Sequence, residues 1–265
     1  MLNRSFTLLK PIALMLSLIL FWPAISYSAD LDRAGVEKAL SGASTGKSAD
    51  LRRKDLRSVD LSGLDFTRAD LWGSDLRGAN LSKSDLSGLI LDLTVMTKIN
   101  LAGANLSRTS IFGVHMVGSN LAGANLSQSR FIANLDRSNL SGANLKNADW
   151  GVDMKNQPMG LMRVSLNSVN LSGADLTDAN LNRSLLRHAI LTGSILRNTV
   201  LSGSDLSAAD FSNADLSGAD LTACNLTGTD FTGANLKGAR FSKDMDKSQV
   251  KGLASAKDFD TVIFE

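Results

Sequence analysis

One cysteine, two histidines and three prolines are all that 265 residues hold of these types, and aromatic residues make up only 5%. Cys224 alone cannot close a disulfide within the chain, so no disulfide framework supports the fold. Two imidazoles and one thiol also leave little material for most metal and catalytic sites. So few prolines beside 22 glycines exclude collagen and stiff linkers, and a hydrophobic fraction of 43% excludes a disordered chain. An excess of either charge is missing too: 28 Lys and Arg stand against 26 Asp and Glu, a formal net charge of +2. That total carries neither the basic excess of a nucleic-acid binder nor the acidity of a DNA mimic.

Long apolar runs are confined to the beginning. Arg4 and Lys10 precede the run from Ile12 to Trp22, Pro23 breaks it, and Ala24, Ser26, Ser28 and Ala29 follow. A basic start, a short apolar stretch and a small-residue exit form the pattern of a secretory signal peptide, assigned to 1–29 with cleavage after Ser28 or Ala29. The run falls short of the ~20 residues that a spanning helix needs. The expectation is export to the periplasm or the medium, with no membrane association after cleavage. Loss of Arg4 and Lys10 leaves the mature chain near neutral, and a single thiol has no partner in the chain to mispair with in an oxidising compartment.

What the chain has in abundance is order at a period of five. Steps of five run from Leu51 to Phe131, slip by one through Leu135, Leu140, Leu145 and Trp150, and resume from Leu161 to Phe241. They meet 38 centres, of which 29 are leucine. Two places before a centre the residue is usually small, as at Ala79, Ala104, Ala124 and Ala214. One place before it stands Asp or Asn, as at Asp70, Asn80, Asn105, Asn125 and Asp175. Ser, Thr or Arg commonly follows the centre, and then Gly.

Five matches neither the helical period of 3.6 nor the strand period of two. It requires a backbone that corners every five residues, so that four quarter turns close a coil of twenty. Each residue then stacks on its equivalent one coil away, at the strand spacing of roughly 4.8 Å. Centres and small residues point inward, and the other three positions face out. Gly, Asn and Asp suit the corners, and stacking pairs the backbone groups that a lone coil leaves open.

Ala69-Asp-Leu-Trp-Gly73, Ala174-Asp-Leu-Thr-Asp178 and Ala214-Asp-Leu-Ser-Gly218 resemble the pentapeptide-repeat family, whose pattern is Ala-(Asp/Asn)-Leu-X-X; the likeness covers about 190 residues. The resemblance implies an all-β fold, a right-handed quadrilateral parallel β-helix. Four centres per coil give about nine to ten coils and a rod roughly 45 Å long. The chain then divides into a cap or linker at 30–48, a first run of β-helix at 49–150 and an irregular loop at 151–160. A second run follows at 161–242, with a cap or tail at 243–265. Unpaired coil edges invite association. Short amphipathic helices are therefore expected to cap both ends, from Asp30 to Leu40 and from Lys243 to Ala256, ahead of the apolar tail Phe259 to Phe264.

Motifs with chemistry are few and weak. Gly42 to Ser48 looks like a phosphate loop, but its glycines stand one residue too close and a helix precedes it where a strand belongs. His115 and His188 are expected three coils apart on different sides, too far to share a metal. Cys224 takes a small-residue position, which predicts a buried, inert thiol. The Asp and Asn columns come from the repeat, so chance carboxylate pairs say nothing about glycoside cleavage. No catalytic, metal or cofactor site is assigned.

Departures from the repeat are more informative. Ile90, Leu93, Val95, Phe112 and Val117 are apolar at outward positions, with Trp72 and Ile132 nearby, on two neighbouring sides of the second to fifth coils. Leu185, Ile190, Ile195 and Val200 do the same around one later coil. Such surface marks an interaction site, with Trp72 and Phe112 as anchors, unless the loop carrying Met154, Pro158 and Met159 folds back over it. The expected function is a non-enzymatic exported structural or interaction module whose partner is another protein or a second copy, without nucleic acid. Below it rank a DNA-mimicking, topoisomerase-binding protein, a use the resemblance brings with it, and a carbohydrate-active β-helix enzyme.

Overall fold

The computed structural model describes residues 29–152 and 162–265. Of the leader read in 1–29 only Ala29 falls within them, and the irregular stretch from 153 onward, Leu161 included, lies outside.

Parallel bridges join residues twenty apart in coil after coil, as in Asp75↔Val95, Asn80↔Asn100, Asp85↔Asn105 and Ile90↔Ser110. Four sides result. Side A carries Leu71, Leu91, Ile111, Phe131 and Trp150. Side B carries Leu76, Met96, Met116 and Leu135, side C Leu81, Leu101, Leu121 and Leu140, and side D Leu86, Leu106, Leu126 and Leu145. Every one of these centres is buried in a single continuous core. Large rings fit because they stack along the rod: Phe131 lies on Trp150 with centroids 4.7 Å apart and planes 3° from parallel. The Trp150 indole donates to the Ser129 hydroxyl at 3.0 Å, so its one polar group is not stranded inside.

The corners follow from the same five residues. The second residue after most centres has positive φ, and the chain closes a turn behind it, as where the Ala79 amide donates to the Leu76 carbonyl at 3.0 Å. Buried Ser and Thr two places before a centre donate inward to carbonyls, Thr109 to Leu106 at 2.6 Å and Ser84 to Leu61 at 2.9 Å.

The one-residue slip has a local cause. Strand β3 (Ser110–His115), preceded by the short strands β1 (Ala49–Asp50) and β2 (Ala69–Asp70), pairs with β4 (Arg130–Asn134). The register shifts between Phe112 and Val114, because β4 lacks a residue opposite Gly113. With one corner residue missing, Ala133 joins the core beside Phe131. Ile132 keeps the outward position opposite Phe112 and stays outside the core cluster, yet it is only 2% exposed and adds nothing to the exposed patch to which position counting assigned it. After the irregular stretch the stack closes again, with Ser165 bridged to Asn134 and Asn170 to Asn139.

A helix, α1 (Arg33–Ser41), lies against the first coil. Its N-cap Asp32 accepts from the Gly35 amide, and its one buried residue, Val36, joins the core. Arg33 donates to the Ser62 carbonyl at 3.1 Å, a group on the coil edge that no preceding coil covers. The other end differs from expectation. Lys243 to Ala256 forms no α-helix. Beyond β5 (Asp220–Leu221) and β6 (Arg240–Phe241), short 3-10 turns stand at Lys247–Gln249, Leu253–Ser255 and Phe259–Thr261. Bridges run Asp230↔Lys251 and Asn235↔Lys257, and β7 (Ile263–Phe264) pairs with β6. The period here is six, with Val250, Ala256 and Val262 packed on the core. One more coil with longer sides thus closes the rod. Gly252 makes it fit: its φ is +75°, and a Cβ would lie 2.2 Å from the Thr232 amide nitrogen.

Candidate interaction surface

Sides C and D present a uniform outer surface between Asn80 and Asn144. Asn100 donates through Nδ2 to Asn80 at 2.8 Å, Asn120 to Asn100 at 3.1 Å, and on side D Asn125 to Asn105 at 3.2 Å. The carbonyl oxygen of each also accepts an amide two residues on, as Asn120 does from Ala122 at 3.2 Å. Each Asn thereby holds its own corner and ties two coils together.

The first coils on sides A and B replace amides with ions. Arg52 pairs with Asp50 at 2.9 Å and lies 3.6 Å from Asp70, while Arg57 pairs with Asp55 and lies 3.7 Å from Asp75, which also pairs with Arg77. Hydrogen bonds from Arg52 hold the Asp50 carboxyl at about 2, and bonds from Arg57 hold Asp55 at about 2.

Above these ions the corner between sides A and B turns apolar. Ile90 on side A is 66% exposed, Leu93 at the corner 58%, and Val95 on side B 38%. Trp72 and Phe112 occupy the same repeat position one coil to either side of that trio, each exposed by more than a third. Val117 is half-buried. The Arg53 guanidinium sits 5.0 Å from the Trp72 ring centre. Asp92 lies between the two aromatics, and its Oδ1 accepts the Phe112 amide at 2.9 Å. Sequence reasoning did not foresee the backbone at Leu93, where φ is +62°. Among the described non-glycine residues with positive φ, Leu93 is the one large apolar side chain. That conformation costs an L-residue about 1–2 kcal/mol. Leu93 is therefore both strained and exposed.

The remaining apolar positions divide. Ile190 is exposed, while Leu185, Ile195 and Val200 are half-buried; these four replace Asp or Asn around a whole coil, under Asp205, Asp210, Asp215 and Asp220. Beside the corner lies a groove of about 310 Å³, lined by Gly113, His115, Ile132, Met162 and Arg163 among others. The Met154, Pro158 and Met159 proposed to cover the patch lie outside the described residues.

The weaker motifs find ordinary places. Gly42 caps α1, Ser44 and Lys47 exchange two backbone hydrogen bonds in a turn, and β1 follows. His115 and His188 share side B, contrary to the expectation of different sides: His115 bridges Asn134, and that column continues through Ser165 to Leu185 in the repeat that His188 completes. Three coils still separate them. Cys224 is half-buried, not fully so, because the change from five- to six-residue sides opens a groove of about 290 Å³ between it and Met245. Desolvation pushes its thiol up to about 12, and its Sγ lies 3.1 Å from the Leu201 carbonyl. Among the described residues no cluster of His, Cys, Asp and Glu has metal-site geometry, and no helix is long and apolar enough to cross a membrane.

Comparison with known proteins gives a consistent picture. The family model described as pentapeptide repeats matches in eight copies over residues 47–73, 60–97, 90–128, 133–150, 165–203 and 204–242. No curated protein matches the chain in sequence. Among solved structures the chain is similar to HetL, a pentapeptide repeat protein involved in heterocyst differentiation regulation from the cyanobacterium Nostoc sp. strain PCC 7120. The TM-score is 0.51 at 28% identity, covering 79% of this chain and 96% of HetL. It is similar as well to QnrB1, a plasmid-mediated fluoroquinolone resistance protein, with a TM-score of 0.59 at 21% identity, covering 80% and 93%. At that identity the second likeness speaks for the fold alone.

Proposed function

The chain belongs to the pentapeptide-repeat family, and on that premise we propose that it is an exported, non-enzymatic interaction module that binds a protein through the corner between sides A and B. The observation that carries this reading is the cluster Trp72, Ile90, Leu93, Val95 and Phe112, exposed together where the repeat elsewhere places Asp, Asn and small polar residues. Contiguous apolar surface of this kind on a folded protein marks a contact face. Two aromatic anchors flanking aliphatic side chains are the composition expected at the centre of one. Export is supported by the basic, apolar and small-residue order of 1–29.

The same surface ranks the other readings lower. A duplex-DNA mimic needs a continuous negative strip, whereas Asp50, Asp55, Asp70 and Asp75 are interleaved with Arg52, Arg57 and Arg77. An enzyme reading needs carboxylates free to act, whereas those of the repeat accept amides of their own turns, as Asp175 does from Thr177 and Asp210 from Ser212.

The test is crosslinking in the native cell combined with fractionation. The double variant Phe112→Ser, Val117→Ser is expected to lose the crosslinked adducts of the exported protein. Its circular-dichroism melting should shift by no more than the small amount typical of surface changes. Adducts unchanged in the double variant would overturn the reading.

A further inference from the structure

We infer that the first coil carries a docking site of its own, a groove between the open edge of β1 and helix α1. It takes an extended peptide segment as an added parallel strand, with an apolar residue preceded by an acidic one. The site is separate from the corner between sides A and B and does not depend on that reading.

The residue before a centre regularly bonds toward the preceding coil. The Asp75 amide donates to the Lys54 carbonyl at 2.9 Å, and the Asp75 carbonyl accepts the Leu56 amide at 2.9 Å. On β1, which leads into Leu51 on side A, the same two groups belong to Asp50. There β1 has β2 along one edge and no strand along the other. Two neighbouring sides of this coil have substitutes for the missing predecessor. On side B the Asp30 amide donates to the Asp55 carbonyl at 2.7 Å and the Asp30 carboxylate accepts the Asp55 amide at 2.9 Å. On side C Arg33 donates to the Ser62 carbonyl at 3.1 Å. Among the described residues nothing does this for Asp50.

Beside that edge runs a groove of about 420 Å³, with Leu31 and Ala39 from the helical segment on one wall and Ala49 of β1 on the other. Leu31 and Ala39 are half-buried against the core, so the wall is fixed as well as apolar. Lys38, in the last turn of α1, and Lys47, just ahead of β1, line the end where the strand begins. Among the described residues Asp50 is the one carboxylate on the groove, and Arg52 holds its two oxygens at 2.9 and 3.1 Å. The groove therefore presents two ammonium groups against no unpaired acid.

An unpaired strand edge with an apolar groove beside it is the arrangement that captures extended peptides. The bonding pattern of the coils sets the register. The guest's apolar residue donates its amide to the Asp50 carbonyl and turns its side chain toward Leu31 and Ala39. The Asp50 amide donates to the guest carbonyl two residues earlier. A parallel guest enters from the Lys47 end, so an acidic residue ahead of the apolar one meets both ammonium groups.

The probe is the peptide Ac-Glu-Ala-Asn-Leu-Ser-Gly-NH2, titrated to about 10 mM into the isotope-labelled protein and followed by amide NMR. Saturable shifts are expected at Leu31, Ala39 and Asp50, with a dissociation constant between about 0.1 and 10 mM. Methylating the leucine amide of the peptide removes its bond to Asp50 and should weaken binding at least about tenfold. Methylating the asparagine amide, which faces away from β1, should change it by less than about twofold. The exposed pair Lys38→Glu, Lys47→Glu should weaken binding at least about fivefold, as should glutamine in place of the peptide's glutamate. No saturable shift, shifts confined to other surfaces, equal binding of the two methylated peptides, or indifference to both charge changes would overturn the inference. Cellular adducts that depend on Phe112 and Val117 report on the other face, so either site can fail while the second stands.

Discussion

On sides C and D the residue before each centre is Asn at 80, 100, 105, 120, 125, 139 and 144, whereas around the corner between sides A and B the same repeat position holds Ile90 and Val95. The backbone does not register the difference. The Asn100 amide donates to the Ala79 carbonyl at 2.9 Å, and the Val95 amide donates to Ser74 at 3.0 Å. A coil thus accepts an amide ladder or an aliphatic side chain at this position with equal geometry. The buried centres and the ladders hold the rod, and the outer positions elsewhere are free to carry a message.

The largest effect should come from what the two regions share. Leu101 is fully buried behind side C, and Leu101→Ala is expected to cost about 2–5 kcal/mol in denaturant unfolding through lost burial and the cavity left behind. A much smaller cost would mean that the interior is not close-packed.

The next effect separates them. Asn120→Ala removes the bond to Asn100, the bond from Asn139 and the acceptor for the Ala122 amide, which should cost about 1–3 kcal/mol. Val95→Asn should stay within about 0.5 kcal/mol of the parent while erasing part of the patch. Equal costs for the two variants would break the contrast between structural and expressive faces.

Acid gives the smallest difference. The folded-state values of Asp50 and Asp55, near 2, lie below the ordinary carboxylate value of 3.8. Their contribution is complete above pH 4 and is lost as pH falls through 2. The Asn ladder between Asn100 and Asn144 carries no titrating group. Hydrogen exchange at pH 2 should therefore accelerate in the first coils of sides A and B more than in the ladder coils, and uniform acceleration would contradict the assignment.

The rod was legible because its rule is local: a leucine every fifth residue can be counted without knowing any contact. Counting failed where geometry replaced the count. Ile132 reads as an exposed member of the patch by position, yet it is buried on the outer side of its strand, outside the core cluster. Val250, Ala256 and Val262 keep a period of six, but without Leu centres and Asx corners the segment resembles an amphipathic helix. Asp30 also escaped notice as part of the stack, although its amide donates to the Asp55 carbonyl at 2.7 Å and its carboxylate accepts the Asp55 amide. The apolar corner was visible as departures from the pattern. The left-handed backbone under Leu93 was visible only as a rule of the repeat that a bulky residue disobeys.

That disobedience supplies the most direct test. Leu93→Gly relaxes the corner, since glycine adopts positive φ without strain, and removes the centre of the patch. Denaturant unfolding of the variant is predicted to show a stability equal to the parent or higher by about 0.5–1 kcal/mol, while the crosslinked adducts in the native cell are lost. A variant that loses stability, or that keeps the parent's adducts, would contradict the claim that Leu93 is kept at a structural cost for docking.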